Sequence, residues 1–187
     1  MGKIYYTDRL ILKELDELNG EIVLDYNIRN KEFFPKYETK RHDVFYTLSY
    51  QKSQLKMDRK FSESNSMLRL WLFKKDNLDK IIGQITFYNI VPFAFLSCHI
   101  GYKCDKDEIN KGYITEAMQK GIEIMFSEYN LHRLEGYVQE NNKESLKVLY
   151  KLGFMNEGVA HKFLEVNGIW KDHLRMVLIK EQFKGVK

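Results

Sequence analysis

Glu108-Ile-Asn-Lys-Gly112-Tyr-Ile-Thr115-Glu-Ala117 leads from a predicted strand into a predicted helix through a short basic turn that contains one glycine. A helix that begins in this way presents backbone N–H groups without intrahelical partners, together with the positive end of its dipole. Both features favour a bound phosphate. The stretch therefore predicts the phosphate site of a nucleotide-type cofactor, and the alternative interpretation is a plain turn before an amphipathic helix.

The helix that follows Gly112 has the clearest apolar period in the chain. Its apolar residues recur at spacings of three and four as far as about Ser127, and they are Ile114, Ala117, Met118, Gly121, Ile122, Met125 and Phe126. A stripe of this kind should pack on a sheet.

The remaining pattern mixes strands and helices. Strands are predicted at 8–14, 68–74, 80–90, 93–103 and 134–138, and helices at 16–29, 41–62, 112–127 and 143–152. Residues 76–79 predict the turn of one hairpin, and Asn167-Gly168 predicts the tight turn of a closing hairpin made of 160–166 and 170–180. The expected class is α+β, with a largely antiparallel sheet and helices on both sides.

Composition indicates one globular domain that spans residues 1–187, because 44% of the residues are hydrophobic and 14% are aromatic. The formal net charge of +4 is too small to indicate a nucleic-acid partner, although it suits an anionic cofactor. No run approaches the roughly 18 apolar residues that a membrane span needs, so no membrane partner is expected.

The two cysteines, Cys98 and Cys104, are too few for a disulfide scaffold, and no apolar signal segment precedes the first predicted strand. A cytoplasmic location is therefore expected. Cys98, His99 and Cys104 lack the spacing of a zinc site, so no metal is expected.

Two further motifs lie downstream, Asn142-Lys-Glu-Ser145 and Leu152-Gly153-Phe154. The order of strand, basic turn, helix, strand, Asn-x-x-Ser, helix and Gly-Phe resembles the GNAT superfamily of N-acetyltransferases, and within it the ribosomal-protein (alanine/serine) N-terminal acetyltransferase branch. The resemblance extends to the first, third and fourth strands of that branch and to its closing hairpin, which correspond to Thr7 to Leu12, Ile82 to Ile85, His99 to Tyr102, and Asn167-Gly168 followed by Asp172. It implies a three-layer α/β/α fold with a mixed, mostly antiparallel sheet splayed between strands 4 and 5 of the family.

The resemblance implies acetyl-CoA as cosubstrate. Its pyrophosphate would lie over the helix that begins at Gly112, and its pantetheine arm would add to the sheet edge as an extra strand. The implied cofactor-binding residues are Tyr102, Lys103, Cys104, Ile109, Asn110, Lys111, Gly112, Tyr113, Ile114, Thr115, Asn142 and Ser145. The family turn usually carries other residues at the places of Ile109, Asn110 and Ile114, and Gly112 is the one glycine that matches.

The implied catalytic residues are His99, Ser145 and Asn142. His99 occupies the strand on which the superfamily often places a glutamate base, and its alternative is a half-buried strand histidine; further base candidates are Glu157, Glu165 and His161. The usual tyrosine acid of the family corresponds to Leu149, and Tyr150 is about 100° farther around the helix. Ser145 resembles the alternative donor of the branch, while Asn142 suits a helix cap and a pantetheine contact.

The acceptor cleft is expected to include Phe33, Phe34, Tyr37 and Trp170, unless these aromatics pack in the core. The resemblance implies direct attack in a ternary complex by the α-amino group of a ribosomal or other protein. Small amines, amino sugars and aminoglycosides are alternatives, as is a non-catalytic acetyl-CoA sensor. A homodimer is implied by the resemblance alone.

Overall fold

One sheet of eight strands forms the middle layer of this computed structural model, which describes residues 2–185. The strands are β1 (Ile4–Tyr6), β2 (Leu10–Lys13), β3 (Met67–Lys74), β4 (Asn77–Val91), β5 (Ser97–Cys104), β6 (Arg133–Val138), β7 (Met155–Val166) and β8 (Ile169–Ile179). They lie in the order β1-β2-β3-β4-β5-β6-β8-β7, and among these described strands only β5 and β6 pair in parallel. The predicted α+β class and the mostly antiparallel sheet are confirmed.

In the described part of the chain, four α-helices cover the two faces of the sheet, namely α1 (Gly20–Arg29), α2 (Leu48–Glu63), α3 (Tyr113–Ser127) and α4 (Lys143–Lys151). The predicted apolar stripe of α3 is buried against the strands. Gly121 lets this helix approach closely, because a Cβ atom there would meet the ring of Phe87 at 2.6 Å. Within residues 2–185, no helix has the length and apolar character needed to cross a bilayer.

The opposite face carries a smaller core under α1 and α2. Tyr26 is fully buried there and meets Trp71 edge to face, with the ring centroids 5.8 Å apart. Leu55 of α2 and Phe73 of β3 belong to the same cluster. Both faces of the sheet are therefore covered by helices. A ligand can reach the sheet where two neighbouring strands are not paired.

The main break in strand pairing lies between β5 and β6. These strands share three residue pairs, Ser97 with Arg133, Cys98 with Leu134 and His99 with Glu135, and the pairing ends there. Beyond His99 the two strands diverge and leave a gap, so the predicted splay is confirmed. The family's fourth and fifth strands are β5 and β6 here, because the additional strand β1 shifts the count by one.

Several predicted boundaries differ from the observed ones. The three-residue strand β1 was not predicted, since it is too short to show a period. The predicted helix 41–62 is interrupted at Thr47, which has an extended backbone. Its hydroxyl caps the N-terminus of α2, so α2 begins only after this residue. The first hairpin turns at residues 75–76 rather than 76–79. β5 begins at Ser97 instead of residue 93, because positive φ angles at Phe93 (61°) and Leu96 (42°) interrupt the strand.

Candidate active site

The turn before α3 has an unusual backbone. Asn110 and Gly112 both have positive φ angles, 61° and 80°, and Gly112 is the N-cap of α3 without a side-chain capping hydrogen bond. The first main-chain bond of the helix runs from the Glu116 N–H to the Gly112 carbonyl at 3.1 Å. Among residues 2–185 no side chain caps the N–H groups of the first turn, an arrangement that fits a phosphate.

Arg9 adds a positive charge to this turn, and sequence reasoning missed it. Its guanidinium lies 2.6 Å from the Glu116 carboxylate, donates to the Lys111 carbonyl at 3.0 Å and covers the ring of Tyr113 at 4.5 Å. A Cβ atom at Gly112 would lie 3.4 Å from this guanidinium. Nothing in the spacing of the sequence indicated the contact, because 107 positions separate Arg9 from Glu116.

Lys111 points into the turn itself. Its ammonium donates to the Glu108 carboxylate at 2.9 Å and to the Asp107 carbonyl at 2.7 Å. Glu108 also accepts from Lys74 at 3.1 Å. Burial acts to raise the pKa of Glu108, but these two lysines bring it below its ordinary value. The predicted contact between Lys111 and a phosphate thus stays a prediction, while its observed role is to brace the turn.

The start of the turn is anchored to the end of α1. Asp105 is fully buried and accepts from Arg29 at 2.8 Å and from the Asn30 amide at 3.2 Å. The Asn30 side-chain oxygen Oδ1 in turn accepts from the Lys106 N–H at 2.9 Å. Burial acts to raise the pKa of Asp105, but its hydrogen bonds, first from the Asp107 N–H and then from Arg29 and Asn30, hold it below the usual range.

The N-terminus of α4 forms one side of the gap. Asn142 caps this helix, and its side-chain oxygen accepts from the Ser145 N–H at 3.1 Å. The Tyr102 hydroxyl reaches across from β5 and lies 2.7 Å from Ser145 Oγ and 3.1 Å from the Ser145 carbonyl. Three predicted site residues thus meet here. By contrast, Leu149 is buried in the core and Tyr150 is 54% exposed.

His99 stands at the closed end of the gap, on the other face of the sheet. Alternation along β5 directs His99 and Tyr102 to opposite faces. The imidazole lies between two tyrosine rings, Tyr88 at 5.5 Å and Tyr137 at 5.4 Å, and receives no hydrogen bond from any of residues 2–185. Burial lowers the pKa of His99, partly offset by Glu135. A neutral imidazole is a suitable proton acceptor at pH 7.

Charged residues surround this end of the gap. Glu135 accepts from Arg133 at 2.6 Å, from Arg175 at 3.0 Å and from the Tyr137 hydroxyl at 3.0 Å. Burial acts to raise the pKa of Glu135, but these donors keep it below its ordinary value. Glu157, one of the predicted base candidates, also accepts from Arg133, at 2.9 Å.

The other two base candidates lie on the β7–β8 hairpin. His161 is exposed and contacts Asp172 at 2.9 Å, and Glu165 is exposed while its carbonyl accepts from Thr39 at 2.6 Å. Neither contacts His99. Their proposed role as base stays a prediction.

Residues 35–40 form a segment, here called the strap, that joins the two sides of the gap. Glu38 accepts from Lys103 of β5 at 2.7 Å. The Tyr37 carbonyl accepts from Gln139, next to β6, at 3.2 Å, and the Tyr37 hydroxyl donates to Glu144 of α4 at 3.5 Å. The strap is also bound to the β7–β8 hairpin, where the Lys40 N–H donates to Asn167 at 2.8 Å and the Asn167 amide donates to the Pro35 carbonyl at 3.4 Å.

The four predicted acceptor residues are dispersed. Phe34 packs on Tyr26 with the centroids 5.6 Å apart and lies 4.9 Å from the Lys103 ammonium. Phe33 packs on Phe34, Tyr37 belongs to the strap, and Trp170 is 58% exposed on β8. Phe34 and Tyr37 thus lie near the gap, whereas the structure does not bring Trp170 to them.

Side chains of the metal-binding types do not cluster. Among the described residues, no group of three or more His, Cys, Asp or Glu could hold an ion. The unpaired part of β5 carries Tyr102, which contacts Ser145, and it leads along the chain into the turn before α3. This order suits a long organic molecule with a phosphate at one end.

Known proteins share this fold. The sequence matches the acetyltransferase (GNAT) domain family over residues 9–155. The [ribosomal protein uS5]-alanine N-acetyltransferase of Escherichia coli (strain K12) is 30% identical over 172 residues, which cover 92% of this chain and 88% of that protein. The solved structure of ribosomal-protein-S5-alanine acetyltransferase from Vibrio fischeri has a TM-score of 0.90 at 30% identity and covers 97% of this chain and 99% of its own.

A second solved structure, Mycobacterium smegmatis RimJ in complex with CoA-disulfide, shares the fold with a TM-score of 0.90 at 23% identity, covering 98% of this chain and 90% of its own. The family match includes the turn, the gap and α4. It also confirms the resemblance drawn from the motifs. The chain therefore belongs to the GNAT acetyltransferase family and is an acetyl-CoA-dependent N-acetyltransferase, similar to the enzymes that acetylate ribosomal proteins.

Proposed function

We propose that the enzyme acetylates the α-amino group of a protein N-terminus by direct attack of the amine on acetyl-CoA within a ternary complex. The observation that carries the proposal is the gap between β5 and β6, which has the Ser145 hydroxyl on its helix side and the His99 imidazole at its closed end on the opposite face. A donor for the leaving group and an acceptor for the amine proton are thus available at one opening. The names of the relatives, which include a uS5-alanine acetyltransferase, support this acceptor class.

The residues of the turn and the gap suit acetyl-CoA, which supplies the activated acetyl group. The uncapped N–H groups around Gly112 and the Arg9 guanidinium would hold its diphosphate. The unpaired edge of β5 beyond His99 would hold its pantetheine arm by main-chain hydrogen bonds. Asn142 caps α4 by accepting from the Ser145 N–H and so orders the first turn of the helix, which carries Ser145.

His99 and Ser145 have different roles in the proposed reaction, one as proton acceptor and the other as hydrogen-bond donor. A protein α-amino group has a pKa of about 7.7, so much of it is protonated at neutral pH, and the attacking form is neutral. His99 accepts the proton that the amine releases as the new N–C bond forms, and later returns it to solvent. Ser145 donates a hydrogen bond to the sulfur while the C–S bond breaks, and solvent supplies the proton that completes the thiol.

Neither cysteine is suited to carry the acetyl group. Burial raises the pKa of the Cys98 thiol, and burial together with Asp105 and Glu108 raises that of Cys104 to about 12. Both thiols therefore stay protonated at neutral pH, and a protonated thiol is a poor nucleophile. Direct attack predicts intersecting double-reciprocal plots in steady-state kinetics with both substrates varied, whereas parallel lines would contradict it.

The strap supports a slender acceptor. It is bound to β5 through Lys103 and to α4 through Glu144, so it crosses the acceptor side of the gap. An amine at the end of an extended chain with small first residues passes beneath such a segment more easily than the rigid rings of an aminoglycoside. A cytoplasmic location and a homodimer are part of the same proposal, and both stay predictions from the sequence.

Acceptor screening tests this proposal. Peptides that begin with Ala or Ser, the same peptides with blocked N-termini, polyamines and aminoglycosides are incubated with acetyl-CoA, and acetylated products are detected by mass spectrometry. We expect acetylation of the free peptides at the α-amino group and none of the blocked ones. Acetylation of polyamines or aminoglycosides alone would overturn the acceptor class. Tight acetyl-CoA binding without acetylation of any acceptor would indicate a sensor.

A further inference from the structure

The contact between Tyr102 and Ser145 is more specific than a cofactor-lining role requires. The Tyr102 hydroxyl is within hydrogen-bond distance of both oxygens of Ser145, 2.7 Å from Oγ and 3.1 Å from the carbonyl. Only Tyr102 can donate to the carbonyl, whereas either hydroxyl can donate to the other. The pair therefore has two proton arrangements.

The two arrangements differ in the direction of the serine proton. If Tyr102 donates to the carbonyl, Ser145 donates to Tyr102, and its proton is not available to a third group. If Tyr102 donates to Ser145 Oγ, the serine O–H is free to donate a hydrogen bond to another acceptor. A hydroxyl that accepts one hydrogen bond also becomes a stronger donor in the next, since hydrogen bonds in a chain polarise one another.

We propose that Tyr102 is a positioning residue that turns the Ser145 hydroxyl toward the sulfur of the cosubstrate. This inference rests on the proposed function of Ser145 as the hydrogen-bond donor to that sulfur. Tyr102 reaches Ser145 from β5, on the opposite side of the gap, so the hydroxyl pair forms only when β5 and α4 are held at their observed separation. The donor strength of Ser145 is thus coupled to the width of the opening.

The surroundings of Tyr102 suit a permanent donor. Burial raises the pKa of its phenol, and the hydrogen bond with Ser145 only partly offsets this. Tyr102 therefore keeps its proton throughout the working range of pH. The ring packs against the main core, so Tyr102→Phe removes one oxygen atom and preserves the packing.

The ionisation of bound CoA tests the inference without an acceptor. The full-length protein is saturated with CoA, and the thiolate is titrated by its ultraviolet absorbance against the same variant without CoA. The variants are Tyr102→Phe, Ser145→Ala, the double variant, and Tyr150→Phe as a matched control on the exposed surface of α4. CoA affinity is measured by calorimetry for each variant so that saturation is maintained.

We expect the ionisation constant of the bound thiol to fall about tenfold in Tyr102→Phe, a pKa rise of about one unit, which corresponds to the loss of about 1.4 kcal/mol of thiolate stabilisation. Ser145→Ala should lower it at least as much, and the double variant should equal Ser145→Ala, because Tyr102 acts through the serine. Tyr150→Phe should match the wild type. CoA affinity at a pH well below the thiol pKa should stay within about threefold in all variants.

Different failures lead to different conclusions. An effect of Ser145→Ala without one of Tyr102→Phe would overturn the positioning role and leave the proposed function intact. Additive effects in the double variant would show that Tyr102 acts on the sulfur independently, which also overturns the inference. If Ser145→Ala titrates like the wild type, the donor role of Ser145 in the proposed function fails, and the inference fails with it.

Discussion

The Arg9 guanidinium lies 2.6 Å from the Glu116 carboxylate, which ties the residue before β2 to the first turn of α3. Arg9 is thereby held at the helix terminus where the diphosphate is proposed to bind. We expect Arg9→Ala to weaken CoA binding about tenfold, as the loss of one charge-assisted hydrogen bond would. Calorimetry measures this effect, and Arg59→Ala, which removes an exposed pair with Glu63, is the matched control. Equal CoA affinity in the two variants would contradict the role of Arg9.

Substitution at Gly112 separates backbone strain from loss of the site. Gly112 and Gly168 have nearly equal φ angles of 80° and 81°, but Gly168 has nothing within 4 Å of a Cβ atom, whereas Gly112 lies beside Arg9. Replacement of either glycine by alanine should destabilise the fold by about 1–2 kcal/mol, because a side chain is strained in this region. Only Gly112→Ala should also weaken CoA binding. The measurements are thermal unfolding and calorimetry, and unchanged CoA affinity in Gly112→Ala would argue against a phosphate at this helix terminus.

Asn30 should affect the affinity for CoA, although it contacts the start of the turn and not the N-terminus of α3. It holds Asp105 and Lys106, whereas Asn27, one turn earlier in α1, makes buried hydrogen bonds to Val23 and Gln51 only. Replacement of either asparagine by alanine should cost about 1–3 kcal/mol of stability through lost and unsatisfied hydrogen bonds. We expect a lower CoA affinity only in Asn30→Ala. Calorimetry with CoA distinguishes the two variants, and a matching loss in Asn27→Ala would show a general effect of destabilisation.

The pH dependence of kcat should report His99. Burial lowers its pKa, so the neutral, proton-accepting form predominates above a midpoint that lies below the ordinary value of about 6.5. kcat should therefore rise with pH through that midpoint and then level off. Loss of this base in His99→Gln should lower kcat by about 100-fold or more and abolish the rise of kcat with pH, here called the acid limb. His173→Gln, a buried histidine of β8, is the control and should keep the limb. An unchanged limb in His99→Gln would exclude His99 as the base.

The free energy of unfolding should also rise with pH because of His99, as kcat does. Because the folded-state pKa lies below the unfolded value of about 6.5, unfolding takes up a proton in the interval between the two. The contribution of His99 is complete above pH 6.5 and is lost as the pH falls through the interval. Denaturant titrations of the wild type and His99→Gln at pH 5 and pH 8 measure it, and the wild type should lose more stability on acidification than the variant.

The sequence predicted those features that depend on neighbouring residues. The period of α3, the turn at Gly112 and the Asn167-Gly168 hairpin follow from local spacing and from the backbone freedom of glycine and asparagine, and all three occur. The contact of Arg9 with Glu116 could not be predicted in this way, because it depends on how strands distant in the sequence lie beside α3. The tyrosine rings around His99 likewise depend on the register of three strands.

The short pairing between β5 and β6 leaves the site closed at one end and unpaired at the other. Three residue pairs hold the strands together up to His99, so any rotation of one half of the sheet against the other has its fulcrum there. Cys104 lies five residues farther along β5, about 17 Å from that fulcrum at the rise of an extended strand. A small scissor movement would therefore displace the Cys104 end of β5 most, Tyr102 less and His99 least, so the contact between Tyr102 and Ser145 would respond to it before the surroundings of His99 did.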